Sequence, residues 1–171
     1  LNFSGVQVAS IYGTMGIASL FMPALLGIVA DRWVNVERVL GACHIIGAGL
    51  LFWASTVSDY PTLYIIMLFN SMVFMPTIAL NNTVSYIVLE DRKFNIVKDF
   101  PPIRVWGTVG FVVAMWIVDL AGWTKSPFQL YISAGAGLFL GLYAFTMPKC
   151  APAKVERKKD LVSSLGLDAF V

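Results

Sequence analysis

Apolar residues gather along this chain into five long blocks separated by short polar connections. The blocks cover residues 10–30, 39–57, 63–89, 103–121 and 128–147. Each holds roughly the 20 residues that a helix needs to cross the hydrocarbon core of a bilayer. The pattern predicts an all-α protein, a polytopic transmembrane helix bundle of five spans. The third block is over-long and contains Pro76, which predicts a tilted or kinked helix. The connections are "DRWVNVER", "SDYPT", "EDRKFNIVKDFPP" and "GWTKSP". Connections this short make consecutive helices antiparallel neighbours. A basic tail from residue 149 onward follows the last block and reads as the start of a cytoplasmic loop.

Composition agrees with this reading. Of the 171 residues, 58% are hydrophobic and 13% charged, where a soluble domain has about 45–50% and about 25%. The net charge of +2 gathers on no basic face, so nothing points to nucleic acid. Cys43 lies in an apolar block and Cys150 in the basic segment; both read as free thiols rather than a pair. The first residues, "LNFSGVQV", lack an initiator Met and the charged start of a signal peptide, and the expectation is a fragment of a longer protein.

Placement of charge says more than its sum. Arg32 and Arg38, then Arg92, Lys93, Lys98 and Arg104, then Lys149, Lys154, Arg157, Lys158 and Lys159 all fall at one side of the predicted bundle; Lys125 alone lies opposite. This bias puts the basic side in the cytoplasm, with the N-terminus outside and the C-terminus inside. Trp53, Tyr60, Trp116 and Trp123 then form an outer aromatic belt, and Trp33 an inner one. An odd number of spans that starts outside predicts one more helix upstream. Six spans with both ends cytoplasmic is the size of one half of a major facilitator transporter.

Two stretches carry candidate chemistry. "GIVADRWVNVERVL" ends the first block. Its Gly27, Asp31, Arg32 and Arg38 resemble the signature loop between the second and third helices of major facilitator transporters, although "WVNVER" stands where that loop usually has glycine and arginine. The resemblance implies a conformational latch, in which the glycine allows close helix contact and the charges engage a neighbouring helix end. An ordinary positive-inside loop carries the same Asp-Arg pair. In "FPPIRVWGTVGF", Arg104, Thr108 and Phe111 stand at i, i+4 and i+7 and share one helical stripe. A cation, a hydroxyl and a ring suit a flat polar ligand such as a sugar-linked base. A snorkelling arginine beside a threonine bonded to its own backbone has the same spacing. Asp99 is a candidate N-cap, with Pro101 and Pro102 in the first turn.

"FPPIRVWGTVGFVVAMW", "NSMVFMPTIALNNTVSY" and the terminal "LGLDAFV" resemble the nucleoside:proton symporters of the major facilitator superfamily. The resemblance runs through nearly the whole chain and implies helices two to six of a twelve-helix fold, part of its N-terminal half. The expected function is proton-coupled nucleoside uptake by alternating access across a bacterial inner membrane, with the proton as coupling ion, no cofactor and no metal. Arg104, Thr108 and Phe111 correspond to substrate-binding positions of that family. The expected partners are the nucleoside, the lipid bilayer, an upstream first helix and a C-terminal six-helix half; five spans alone are not expected to transport. The rival readings are a major facilitator transporter of a sugar or drug, and a membrane scaffold or sensor subunit.

Other polar residues inside the blocks read less sharply. Asn70, Asn81 and Ser85 lie roughly on one face of the third block and suit either a cavity lining or helix-to-helix bonding. His44, the single histidine, reads as packed or interfacial, and Asp119 as a hydrated interfacial acid. Ser133, Gly137 and Gly141 follow the small-xxx-small spacing of close helix contacts. No nucleophile–base pair or phosphate loop appears, so nothing in the residues suggests an enzyme.

Overall fold

Helices occupy all five apolar blocks in the computed structural model, which describes residues 3–152. They are α1 (Gly5–Arg32), α2 (Val36–Thr56), α3 (Tyr60–Asp91), α4 (Ile96–Leu120) and α5 (Phe128–Ala144), with one 3-10 turn at Trp123–Lys125. The first four, of 28, 21, 32 and 25 residues, are long and apolar enough to cross a membrane. The fifth has 17 residues, because Pro148 cannot continue a helix and biases the residue before it toward extended backbone. The basic residues Lys154, Arg157, Lys158 and Lys159 and the "LGLDAFV" stretch lie outside the described residues.

The ends are capped by local chemistry. Ser4 accepts from the Gln7 amide while the Gln7 side chain accepts from the Ser4 amide, a capping box for α1. Asp59 caps α3 and accepts from the Thr62 N–H at 3.0 Å. Hydrogen bonds from the Thr62 side chain and backbone hold its carboxyl below the usual range. At the other end of α3, Lys93 adopts a left-handed φ of 59°. Its N–H donates to Glu90 O and that of Phe94 to Leu89 O, both at 2.9 Å. This is a Schellman closure with lysine where glycine is usual.

α4 starts earlier than the apolar pattern suggests. Asn95, not Asp99, is its N-cap: Asn95 Oδ1 accepts from the Lys98 N–H at 3.2 Å. Asp99 sits inside the first turn and accepts from the Asn95 N–H at 2.9 Å. The first turn, with Lys98 and Asp99, is polar and so lies outside the apolar block. Pro101 and Pro102 therefore lie in the second turn, where each removes one amide from the helical ladder. Arg104 stands about 12 Å along the helix from its beginning.

α2 is the hub, packed extensively against α5 and α3, and α1 packs against α3. The α2–α5 seam is built from small residues. A Cβ on Gly141 would fall 2.7 Å from Ile45 Cγ1 and 3.0 Å from the Gly41 carbonyl oxygen; one on Gly41 would fall 3.0 Å from the Gly141 carbonyl. One turn along, Gly137 faces Ala48 and the His44 carbonyl at 3.5 Å. The close contact expected of Gly137 and Gly141 is thus made, and α2 is the partner. Between α1 and α3, hydroxyl pairs replace glycine: Ser10 with Tyr60 at 2.7 Å and buried Thr14 with Ser71 at 3.0 Å. Pro76 is buried within a continuous α3.

At one end of the bundle, Ala30, Val36, Leu40, Cys43, Leu80, Val84, Ala144 and Cys150 form an apolar cluster. It is closed by Glu37, which is 3% exposed. Glu37 Oε1 accepts from Asn35 Nδ2 at 3.0 Å and Oε2 from the Cys150 N–H at 2.9 Å. The Val36 N–H donates to Cys150 O at 3.2 Å. The segment leaving α5 is thereby tied to the start of α2. Cys43 and Cys150 are free and buried. Burial pushes the Cys150 thiol up, with Glu37 and Asp91 adding to the effect.

Candidate functional site

α4 stands apart from this packing. None of its residues is buried, and its contact with the bundle is a thin one to α3. An edge-to-face pair of Tyr86 and Phe100, with centroids 4.5 Å apart, helps hold its first turns to α3. Beyond that point α4 leans over an open space. A cavity of about 750 Å³ is bounded by α2, α3, α4 and α5, within the range of about 300–1,000 Å³ usual for small-molecule sites.

Arg104, Thr108 and Phe111 all line this cavity, together with Phe100, Ile103 and Gly107 of α4. The helical stripe read from the sequence is therefore turned inward. Among the described residues, the Arg104 guanidinium has no hydrogen-bond or ion-pair partner. Thr108 differs from the helical hydroxyls around it. Thr77, Thr83, Ser85 and Ser133 donate to Phe74 O, Ala79 O, Asn81 O and Gln129 O at 2.6, 3.1, 2.9 and 2.8 Å. The Thr108 hydroxyl makes no such bond among the described residues. Phe111 is 65% exposed and presents its ring to the same space.

The facing wall comes from α3 and α2. Asn81, Asn82, Ser85, Thr77 and Phe74 approach from α3 and His44 from α2, with Leu140 and Tyr143 on α5. Asn81 and Ser85 thus share the cavity with Arg104. Asn70 does not. It is 7% exposed, its Oδ1 lies 3.5 Å from a Cβ built on Gly47, and it borders a smaller cavity of about 250 Å³ together with Ser133 and Gly137. The sequence places it on the face of Asn81, but α2 and α5 close over Asn70 and leave Asn81 open.

His44 is a residue that sequence reasoning set aside. The structure places it half-buried on the borders of both cavities. The available signal was chemical: an imidazole is a poor group to show to lipid, so its face of α2 must turn inward. The latch residues lie elsewhere. Asp31 and Arg32 end α1 and Arg38 is in the first turn of α2; all three are exposed. A Cβ on Gly27 would meet nothing within 4 Å, so no described helix approaches it closely. Among the described residues no group of three His, Cys, Asp or Glu side chains is placed to hold a metal ion.

The cavity therefore has, on one wall, a cation and a hydroxyl without partners among the described residues, amides and an imidazole on the other, and aromatic rings between. The helices around it form part of the N-terminal half of a major facilitator fold, all-α, with four of the five long and apolar enough to cross a membrane. The chain superposes on a crystal structure of the nucleoside transporter NupG with a TM-score of 0.87, and on that of a NupG point mutant with 0.93; identity is 46% in both, covering 98% of this chain and 42% of the other. The chain belongs to the nucleoside H+ symporter family, whose sequence profile matches residues 1–171. It is 49% identical over its full length to the xanthosine permease of Escherichia coli K12, and 46% identical over 170 residues to nucleoside permease NupG of the same organism. It spans 41% of the length of either permease.

Proposed function

We propose that this chain is the N-terminal bundle, without a first helix, of a proton-coupled nucleoside importer of a bacterial inner membrane. It crosses the membrane five times, with its N-terminal end outside and its C-terminal end in the cytoplasm. The nucleoside binds between two six-helix halves near mid-bilayer, and rocking of the halves opens the site to each side in turn while a proton moves down its gradient. No cofactor takes part. Arg104 and Thr108 hydrogen-bond the nucleoside and Phe111 packs on it. Asn81 and Ser85 complete the polar wall, and Asp31, Arg32 and Arg38, with Gly27, steady one conformation from the cytoplasmic side.

One observation carries this reading: Arg104 and Thr108 line a cavity of ligand size, and among the described residues their side chains have no hydrogen-bond partner. Unpaired polar groups in a membrane protein are costly unless a ligand or water meets them. The relatives' names agree with a nucleoside as the ligand.

The test uses the full-length gene in cells that lack nucleoside uptake. Labelled uridine should enter wild-type cells only with a proton gradient. Arg104→Ala should cut uptake at least tenfold at low uridine concentration, as expected for loss of a charged hydrogen bond worth about 1.5–3 kcal/mol. Undiminished uptake in the variant would return Arg104 to the role of a membrane anchor. Absent uptake by correctly inserted wild type would favour a transporter of another solute. The five-helix chain alone, with half a site, should carry nothing.

A further inference from the structure

His44, Phe74, Thr77 and Leu140 line both cavities. Of these four, only His44 and Thr77 have side chains that hydrogen-bond, and the Thr77 hydroxyl already donates to Phe74 O at 2.6 Å. Among the described residues no hydrogen bond reaches the His44 ring. The half-buried imidazole therefore borders both spaces, with neither nitrogen bonded among the described residues.

Its surroundings define what it can do. Among the described residues, the charged or titratable side chains that share these cavities with it are Arg104 from α4, Tyr143 from α5 and the Cys43 thiol from its own helix; α3 contributes only neutral groups, and no described carboxylate lines either space. Arg104 donates only, and a guanidinium accepts nothing. A ligand with hydroxyl protons needs acceptors, and an imidazole offers one nitrogen that accepts and one that donates. Asn81 supplies a further carbonyl on the same wall. A nucleoside carries such hydroxyl protons on its sugar.

We propose that His44 hydrogen-bonds a sugar hydroxyl of the bound nucleoside, reaching it from α2 while Arg104 and Thr108 hold the ligand from α4. This rests on the nucleoside reading above and adds a specificity-determining contact to it.

The test is equilibrium binding by calorimetry with the purified full-length transporter. The ligands are uridine, 2′-deoxyuridine and 3′-deoxyuridine; the proteins are wild type, His44→Ala, His44→Gln, His44→Phe and Arg104→Ala. Wild type should bind uridine saturably, and His44→Ala should weaken uridine about tenfold. One of the deoxy analogues, lacking the partner hydroxyl, should lose less than about threefold on the same substitution, because the contact is already gone. His44→Gln, which keeps a donor and an acceptor, should stay within about threefold of wild type for uridine. His44→Phe, which keeps the ring and removes the hydrogen bond, should behave like alanine, and the Gln–Phe pair decides the matter if His44→Ala does not fold. Equal affinity in wild type and all His44 variants, with Arg104→Ala still weakened, overturns the His44 contact alone. An equal loss for all three ligands overturns it too, since that is the mark of packing. Wild type that binds no uridine overturns the nucleoside reading and this contact with it.

Discussion

The α2–α5 seam and helix α4 are made from similar residues and put to opposite uses. Both are apolar, glycine-bearing and of membrane character. In the seam, Gly41 and Gly141 bring two backbones so close that no side-chain carbon fits between them. In α4, Gly107 and Gly110 have open space beside them, and no residue is buried. The seam binds the bundle to itself, whereas Arg104 and Thr108 on α4 have no partner among the described residues. In a membrane, where lipid is as apolar as leucine, burial of oily surface cannot hold helices together. Close backbone approach and hydrogen bonds do so instead, which is why the two regions differ in fit rather than in hydrophobicity.

The largest effect is expected from breaking the seam. Gly141→Leu places a side chain against the Ile45 backbone and the Gly41 carbonyl, neither of which can give way easily. Overpacking of this kind should cost about 3 kcal/mol. Thermal unfolding in detergent should show it as a large fall in Tm and in the yield of folded protein. A variant as stable as wild type would show that the seam opens readily.

A smaller effect, and one that separates the two regions, is expected at Thr108. Its hydroxyl has no partner among the described residues, so Thr108→Val should leave Tm nearly unchanged. It should weaken uridine binding about fivefold, the worth of one neutral hydrogen bond of about 1 kcal/mol. A fall in Tm without a change in affinity would place Thr108 with the structural hydroxyls, beside Thr77.

The smallest effect concerns the turn that joins α4 to the packed part. Lys93 holds a left-handed φ of 59° that glycine adopts without strain. Lys93→Gly should stabilise the protein by about 0.5 kcal/mol, the relief of strain being partly offset by glycine's greater freedom when unfolded. Differential scanning calorimetry of the pair would show a rise of a degree or two; a fall would mean that the lysine side chain holds the turn in some other way.

Much of this molecule was legible before any coordinates. The apolar blocks, their short connections and the Arg104–Thr108–Phe111 stripe depend on local periodicity, and a helix carries that periodicity directly from sequence into space. The start of α4 was less legible, because Asn95 and Asp99 compete for the same capping role and only backbone geometry shows which one holds the free amides. The small-residue spacing in α5 announced a close contact without naming its partner.

The sequence by itself determined the all-α membrane character, the order of the helices, and the set of side chains on the inward stripe of α4. Each of these follows from residues a few positions apart. Tertiary structure decided that Asn81 shares a cavity with Arg104 while Asn70 does not, and that His44 lines both cavities. It also decided that Glu37 clasps Cys150 across the bundle end. These depend on how α2, α3 and α5 rotate and close against one another. No local pattern encodes that rotation, because it is set by the fit of surfaces from distant parts of the chain.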